Sequence, residues 1–136
     1  MKRLLLLIML LCVNVYAQAQ EKDKIKIKKK PTEVDFLPHI NGVYDGEIAV
    51  EKICFGDGIK NNLGYQVFSF QITYVKEGTT VTEYIRSNQI PDTVCAQLQF
   101  FNLNQRIFIT AIKALDHSGR LITLEPFSLI PIKEDE

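Results

Sequence analysis

The chain has 136 residues, enough for one domain, with 16 basic and 16 acidic side chains, eight Phe, five Tyr and no Trp. The zero net charge averages two unlike parts, since residues 20–30 carry six Lys and two acidic residues, whereas residues 31–136 carry eight basic and 14 acidic residues. Because nucleic-acid-binding surfaces are basic, the acidic body argues against that class of function.

The first 19 residues have the three parts of a secretory signal peptide. Two basic residues precede the apolar run Leu4–Val15, which is shorter than the roughly 20 residues that a membrane-spanning helix needs. Small residues allow cleavage after Ala17 or Ala19. Cys12 follows Leu11, where bacterial lipidation requires a small residue, so the sequence predicts export by a cleaved signal peptide and not lipid attachment.

The next segment, residues 20–33, is predicted to be a disordered basic arm. Its lysines repel one another and solvate well, although Ile25 and Ile27 alternate with lysine as in a short edge strand. Three roles stay open for the arm: a leader that keeps the exported chain soluble, a tether to anionic lipid or polysaccharide, and a segment that lies on the acidic body. The lysines of the arm are Lys22, Lys24, Lys26, Lys28, Lys29 and Lys30.

Residues 34–132 are predicted to form the folded domain, and residues 133–136 an acidic tail. The first part of this domain has the pattern of short strands between turns rich in Gly and Asn. The predicted elements there are an extended segment Val34–Leu37, a turn His39–Asp45, a strand Glu47–Phe55 and a long turn Gly56–Gly64.

The clearest strand is Tyr65–Lys76, in which apolar and polar side chains alternate with a period of two. Glu77-Gly78 predicts a turn into a partner strand, Thr79–Ile85, so the two strands should form a hairpin. The side chains expected on the buried face of the first strand are Phe68, Phe70, Ile72 and Tyr74.

The segment Arg106–Pro131 is predicted to be a second hairpin. In its turn, Asp116–Gly119, the aspartate can accept backbone hydrogen bonds and the glycine can adopt the positive φ that closes a four-residue loop. Apolar side chains on both faces of the first strand predict that this strand lies inside a sheet and is covered on both sides. Pro126 has no N–H for a ladder, so the returning strand must end there or run along an edge.

Strands with turns every eight to twelve residues or so, and at most one short helix, predict an all-β fold: an immunoglobulin-like antiparallel β-sandwich. The helix is expected from Asp92 to Phe101, because Val94, Leu98 and Phe101 share a helical face. The chain has no Cys–Trp–Cys core signature, which excludes an antibody-type domain.

Two cysteines, Cys54 and Cys95, follow the signal peptide. In an oxidising compartment they would pair and, by closing a loop of about 41 residues, stabilise the fold by roughly 4 kcal/mol in the chain-entropy model. A second interpretation stays open, in which both are small buried side chains, because pairing requires Cα atoms within roughly 7 Å of each other.

The sequence assigns no catalytic, cofactor-binding or metal-binding residue. A cysteine nucleophile needs a base beside it, and the two histidines, His39 and His117, stand in no recognisable catalytic motif. Two isolated His and two Cys lack the spacing of a zinc site, and there is no glycine-rich phosphate loop. We therefore expect a protein that is not an enzyme and carries no cofactor.

Three stretches carry a family resemblance: Ile112-Lys113-Ala114 followed by Gly119-Arg120, Leu124 and Pro126-Phe127; the strand Val67–Thr73; and the glycine-led Gly46-Glu47-Ile48. Over residues 40–130 this pattern resembles the C-terminal domain of the GldM/PorM family, which are periplasmic components of the gliding and type IX secretion machinery of Bacteroidota. The turn departs from the family, with His117-Ser118 where Pro-Asp is common, and Ile122 stands at the place of a basic residue.

The resemblance implies a stand-alone domain of this type, in the periplasm or outside the cell of a Gram-negative bacterium. The full-length motor protein of the family starts with a membrane helix and carries several domains, so no motor activity is carried over to this chain. A functional link to gliding or type IX secretion is an expectation that rests on the resemblance alone.

The leading functional expectation is an exported, non-enzymatic binding module of the cell envelope, with a protein partner there and no nucleic-acid partner. It would bind through an exposed sheet face or by strand addition at an edge, for which Pro126–Pro131 is one candidate. One alternative is a carbohydrate-binding or hydrolase accessory domain, which predicts a concave pocket with convergent polar groups or a row of exposed aromatics such as Tyr65, Tyr74 and Tyr84. Another is a structural protein held to the surface by its basic arm. The sequence leaves the oligomeric state open.

Overall fold

The computed structural model describes Lys30–Glu134. The predicted signal peptide, residues 20–29 of the predicted arm and the last two residues of the tail lie outside this range. A compact unit begins at Pro31. Within the described range, every helix is too short and too polar to cross a membrane.

The described chain is rich in β-structure, as the sequence predicts. Its strands are β1 (His39–Ile40), β2 (Gly46–Ala49), β3 (Ile59–Lys60), β4 (Gln66–Lys76), β5 (Thr79–Ile85), β6 (Ile107–Leu115), β7 (Leu121–Leu124) and β8 (Phe127–Ile132). Its helices are α1 (Glu33–Phe36), α2 (Val50–Cys54) and α3 (Asp92–Phe101). Three helices in this range exceed the single short helix that we expected.

One six-stranded sheet organises the described residues, in the order β2-β8-β6-β4-β5, with β7 also paired to β6. Strands β1 and β3 form a separate two-stranded sheet. Neighbouring strands are antiparallel except for β2 and β8, which run parallel. Because β4 occupies the other side of β6, both β7 and β8 lie on the same side of β6, as one strand interrupted at Glu125-Pro126.

The predicted hairpin of β6 and β7 is confirmed, with Leu115 opposite Leu121 and Ile112 opposite Leu124. In its turn, Asp116 Oδ1 accepts hydrogen bonds from the backbone N–H groups of Ser118 and Arg120, both at 2.9 Å. Gly119 has a φ of 81°, as the four-residue loop requires. Pro126 ends the first pairing, since β7 stops two residues before it and β8 starts directly after it.

Two bulges, one on each strand, interrupt the pairing of β4 with β6. On β4 the bulge lies at Phe68, so that this side chain points away from Phe70 and is partly exposed; the prediction of both on one buried face was wrong. On β6 the bulge contains Ala111, whose φ is +48°. Before this bulge the buried residues of β6 have odd numbers, Ile107 and Ile109, and after it they have even numbers, Ile112 and Ala114.

The predicted strand Glu47–Phe55 is a strand only as far as Ala49 and then becomes α2. Val50 and Ile53 are three residues apart and both buried, so packing against the core favours one helical turn over a further pair of strand residues. The extended segment predicted at Val34–Leu37 was also wrong, because α1 forms there. The carboxylate of Asp35 accepts hydrogen bonds from the N–H and hydroxyl groups of Thr32, which stabilises the start of this helix.

The core lies on one face of the six-stranded sheet, where α2, α3 and the β1–β3 pair cover it. Helix α3 spans the predicted residues and buries Val94 and Leu98, but Phe101 is exposed. The opposite face of the sheet is open: Phe108, between the buried Ile107 and Ile109, is 47% exposed. The prediction that β6 is covered on both sides is therefore confirmed for the core face and wrong for the opposite face.

Candidate binding surfaces

The structure joins the sulfur atoms of Cys54 and Cys95, whose Cα atoms lie 5.7 Å apart. Cys54 is the last residue of α2, and Cys95 lies in the first turn of α3. A disulfide has no thiolate to act as a nucleophile or a metal ligand, so the role of this pair is structural.

The two histidines lie apart from the cysteines and bind loops. The Nδ1 atom of His39 accepts a hydrogen bond from the N–H of Gly42 (3.1 Å), and its Nε2 atom contacts Asn62 Oδ1 (3.1 Å). His117, at the tip of the β6–β7 turn, places Nε2 2.8 Å from the carbonyl oxygen of Leu63. Between Lys30 and Glu134, no group of three His, Cys, Asp or Glu side chains is placed to hold a metal ion.

An exposed polar cluster, which the sequence did not indicate, joins three distant residues. Arg106 Nη1 and Ser128 Oγ both donate to Asp45 Oδ1, each at 3.0 Å. These two hydrogen bonds, that of Ser128 first, lower the pKa of Asp45. The cluster connects the start of β6 with β8 and with the residue before β2, and it contains no histidine base for the serine, so it suits structure better than catalysis.

The outer sheet face is the exposed side of β4, β5, β6 and β8, and its exposed aromatic side chains are Phe68, Tyr84 and Phe108. Threonines lie between them, and the hydroxyl groups of Thr73 and Thr82 are 2.8 Å apart across β4 and β5. The surface combines exposed aromatic side chains with threonine hydroxyl groups, and such mixed polarity is usual in protein–protein contacts.

The row of exposed tyrosines expected for carbohydrate binding does not form. Tyr74 is 4% exposed on the core side, and its hydroxyl donates to Glu83 Oε2 at 3.1 Å. Burial and this contact raise the pKa of Tyr74. Tyr65 and Tyr84 are on separate surfaces, since Tyr65 lines a groove and Tyr84 lies on the outer sheet face.

A groove of about 750 Å³ runs between α1, Tyr65 and β7, and we call it the β7 groove. Its aromatic wall is ordered by ring contacts, with centroids 6.3 Å apart for Phe36 and Tyr65 and 5.1 Å apart for Tyr65 and His117. The lining residues are Glu33, Val34, Phe36, Leu37, Tyr65, Asp116, Ile122, Thr123, Leu124 and Glu125. Its volume lies in the range of ligand-binding clefts.

The edge predicted at Pro126–Pro131 was wrong, because β8 lies between β2 and β6. The free edges of the described sheet are β2, β5 and the side of β7 that faces away from β6. Of these three, only β7 contributes to the lining of the groove. Strand β2 pairs with β8 from Gly46 to Ala49. The place next to β7 continues the position that β2 fills next to β8, and no strand of Lys30–Glu134 occupies it.

The sequence indicated β7 but not the groove, because the other wall comes from residues far away in the chain. The signal that could have found α1 is Thr32 followed three residues later by an acidic residue, a pattern close to a capping box.

No family model matches the chain, and no curated protein matches it significantly.

Proposed function

We propose that the chain is an exported, non-enzymatic binding module of a bacterial cell envelope, which accepts an extended segment of a protein partner by strand addition next to β7. The single observation that carries this proposal is the edge of β7 that faces away from β6, with which no described strand pairs and which opens onto the β7 groove. The groove is also a concave pocket of the kind that a carbohydrate-binding or hydrolase accessory domain predicts, but the adjoining edge of β7, with which no described strand pairs, favours strand addition.

Strand addition fits the backbone of β7. In an antiparallel pair, alternate residues direct both their N–H and C=O groups toward the partner strand, and the residues between them direct theirs away. Part of the hydrogen-bonding capacity of Leu121–Leu124 therefore faces the groove. Four residues of strand span about 13 Å, long enough to align an incoming segment.

The walls of the groove supply the selectivity that a backbone ladder lacks. Val34 and Phe36 from α1, with Leu37 directly after it, line the groove together with the apolar side chains of Ile122 and Leu124. In peptide recognition by strand addition, main-chain hydrogen bonds give affinity and side-chain pockets give specificity. Among the free edges of the described sheet, β7 is the one that contributes to the lining of this groove, which is why we assign binding to β7.

The location of the protein is part of the same proposal. The N-terminal sequence supports export, and the resemblance to the C-terminal domain of the GldM/PorM family supports an envelope role with a link to gliding or type IX secretion. The six arm lysines, Lys22–Lys30, would add electrostatic contact with anionic lipid or polysaccharide. We also propose that the β-rich fold is a variant of the immunoglobulin-like sandwich. The parallel pairing of β2 with β8 departs from the antiparallel pattern of that fold.

The test uses a matched pair of aromatic substitutions. Phe36 in the groove is 44% exposed and Phe108 on the outer sheet face is 47% exposed, so replacing either with alanine removes a similar exposed ring. Peptides selected from a random decapeptide display library on the mature chain would be titrated by fluorescence anisotropy. We expect Phe36→Ala to weaken binding about tenfold or more, as for loss of an aromatic anchor, and Phe108→Ala to leave it unchanged.

Amide exchange would locate the peptide independently of the substitutions. Added protection at Leu121–Leu124 would support strand addition at β7. The proposal fails if no peptide is selected, if protection appears at β5 instead, or if Phe108→Ala abolishes binding while Phe36→Ala does not. The last outcome would assign the function to the outer sheet face.

A further inference from the structure

We infer that the segment accepted by the β7 groove is basic, with lysine or arginine side chains that alternate with apolar ones. This inference rests on the proposed function and adds the chemistry of the partner to it. It depends on the charges that line the groove and on their position relative to its apolar surface.

The lining of the β7 groove has three carboxylates and, among the described residues, no basic side chain. The carboxylates come from three separate segments: Glu33 from α1, Asp116 from the start of the hairpin turn and Glu125 from the residue after β7. Carboxylates that converge from separate segments give the groove a negative potential, which favours a cationic partner.

Asp116 is ionised at neutral pH. Hydrogen bonds from the side chain of Ser118 and the backbone of Arg120 lower the pKa of its carboxyl group. The charge of Arg120, in the same hairpin turn, also acts on Asp116 in the direction that lowers its pKa. Lys113 on β6 donates to Thr123 Oγ1 at 2.7 Å, a hydrogen bond that holds its ammonium group next to β7.

The apolar part of the lining explains why the segment should alternate. Side chains of an added strand point in turn to its two faces, and on β7 the half-buried Ile122 and the buried Leu124 lie on the core side. An apolar residue of the partner can contact these side chains while the next residue reaches the carboxylates at the rim. The rings of Phe36 and Tyr65 can also accept a cation on their faces.

The experiment compares three decapeptides that differ only in the polar residue at alternate positions, which is cationic, neutral or anionic. One alternates lysine with valine, the second carries glutamine in place of lysine, and the third carries glutamate. Each is labelled and titrated against the mature chain in about 50 mM and about 500 mM salt. We expect affinity to fall in the order lysine, glutamine, glutamate, and the advantage of lysine to shrink at high salt.

A matched pair of double variants assigns the effect to the groove. Glu33→Gln with Glu125→Gln removes two groove charges, whereas Glu47→Gln with Glu77→Gln removes two exposed charges elsewhere. We expect the first double variant to bind the lysine peptide at least about threefold more weakly, as for the loss of two exposed ion pairs. The second double variant should change this affinity by less than about 1.5-fold.

The outcomes separate this inference from the proposed function. If the lysine and glutamine peptides bind equally well at β7, strand addition survives and the basic partner is overturned. If none of the three peptides binds, both fail. If the mature chain sediments as a dimer that Glu33→Gln with Glu125→Gln dissociates, the groove holds a second copy of this chain and the inference of a separate basic partner is overturned.

Discussion

Asn102 shows how one polar residue connects two elements. Its side chain is 1% exposed, and Nδ2 donates to the carbonyl oxygen of Val75 at 2.7 Å. Its Oδ1 accepts a hydrogen bond from Gln97 Nε2 at 2.9 Å. Asn102 directly follows α3, and Val75 is near the end of β4, so the amide ties the helix to the sheet.

We predict that Asn102→Ala lowers the free energy of unfolding by about 1–3 kcal/mol, because the carbonyl of Val75 loses the donor that the buried Asn102 side chain supplies. Urea denaturation followed by circular dichroism would measure the change. Gln99→Ala, at an exposed position of α3, is the control and should change stability by less than about 0.5 kcal/mol. Equal effects of the two substitutions would contradict the assigned role of Asn102.

Among the elements, β6 depends most on a local distortion. Its bulge places Ala111 at a φ of +48°, a left-handed conformation that costs an L-residue about 1–2 kcal/mol. That distortion lets Ile107 and Ile109 before it, and Ile112 and Ala114 after it, all face the core. A strand without the bulge would turn one of these pairs toward the outer sheet face.

Glycine should therefore be tolerated at this one position of β6. We predict that Ala111→Gly raises the free energy of unfolding by up to about 1 kcal/mol, since relief of the strained φ offsets the entropy of glycine. Ala96→Gly, the same change at an exposed site in α3, should lower it by about 1 kcal/mol. Thermal unfolding of both variants would measure these changes. An equal decrease in the free energy of unfolding of the two variants would contradict the role assigned to the bulge.

In the molecule as a whole, the disulfide links the two ends of the sheet. Helix α2 continues from β2, and α3 follows β5, while β2 and β5 are the opposite edge strands of the six-stranded sheet. The bond between Cys54 and Cys95 thus joins the two connections across the helix-covered face. A cross-link of this kind limits the freedom of the unfolded chain over a separation of 41 residues.

We predict that replacing both cysteines with serine lowers the free energy of unfolding by about 2–4 kcal/mol. Dithiothreitol should lower the stability of the unsubstituted mature chain by a similar amount and leave the double variant unchanged. Denaturation curves recorded with and without reductant would show this. If reductant does not shift the curve of the unsubstituted chain, the two thiols do not pair in the purified protein.

The sequence by itself determined the elements that depend on local chemistry. Period-two patterning located β4 and its partner β5, and the glycine of each hairpin turn located the reversals at Gly78 and Gly119. The turn at Asp116 followed from a side chain that bonds to its own neighbouring backbone. Such features depend only on residues that are close in the chain, so they can be predicted from the sequence.

Only the tertiary structure decided where distant segments meet. The short apolar segment after Ala49 fits a strand or a helix equally well, and packing of Val50 and Ile53 against the core selects the helix. Whether β8 is an edge or an interior strand depends on β2, about 80 residues earlier in the chain. The β7 groove likewise needs α1, Tyr65 and the second hairpin together, and long-range packing, which no local pattern encodes, brings them into contact.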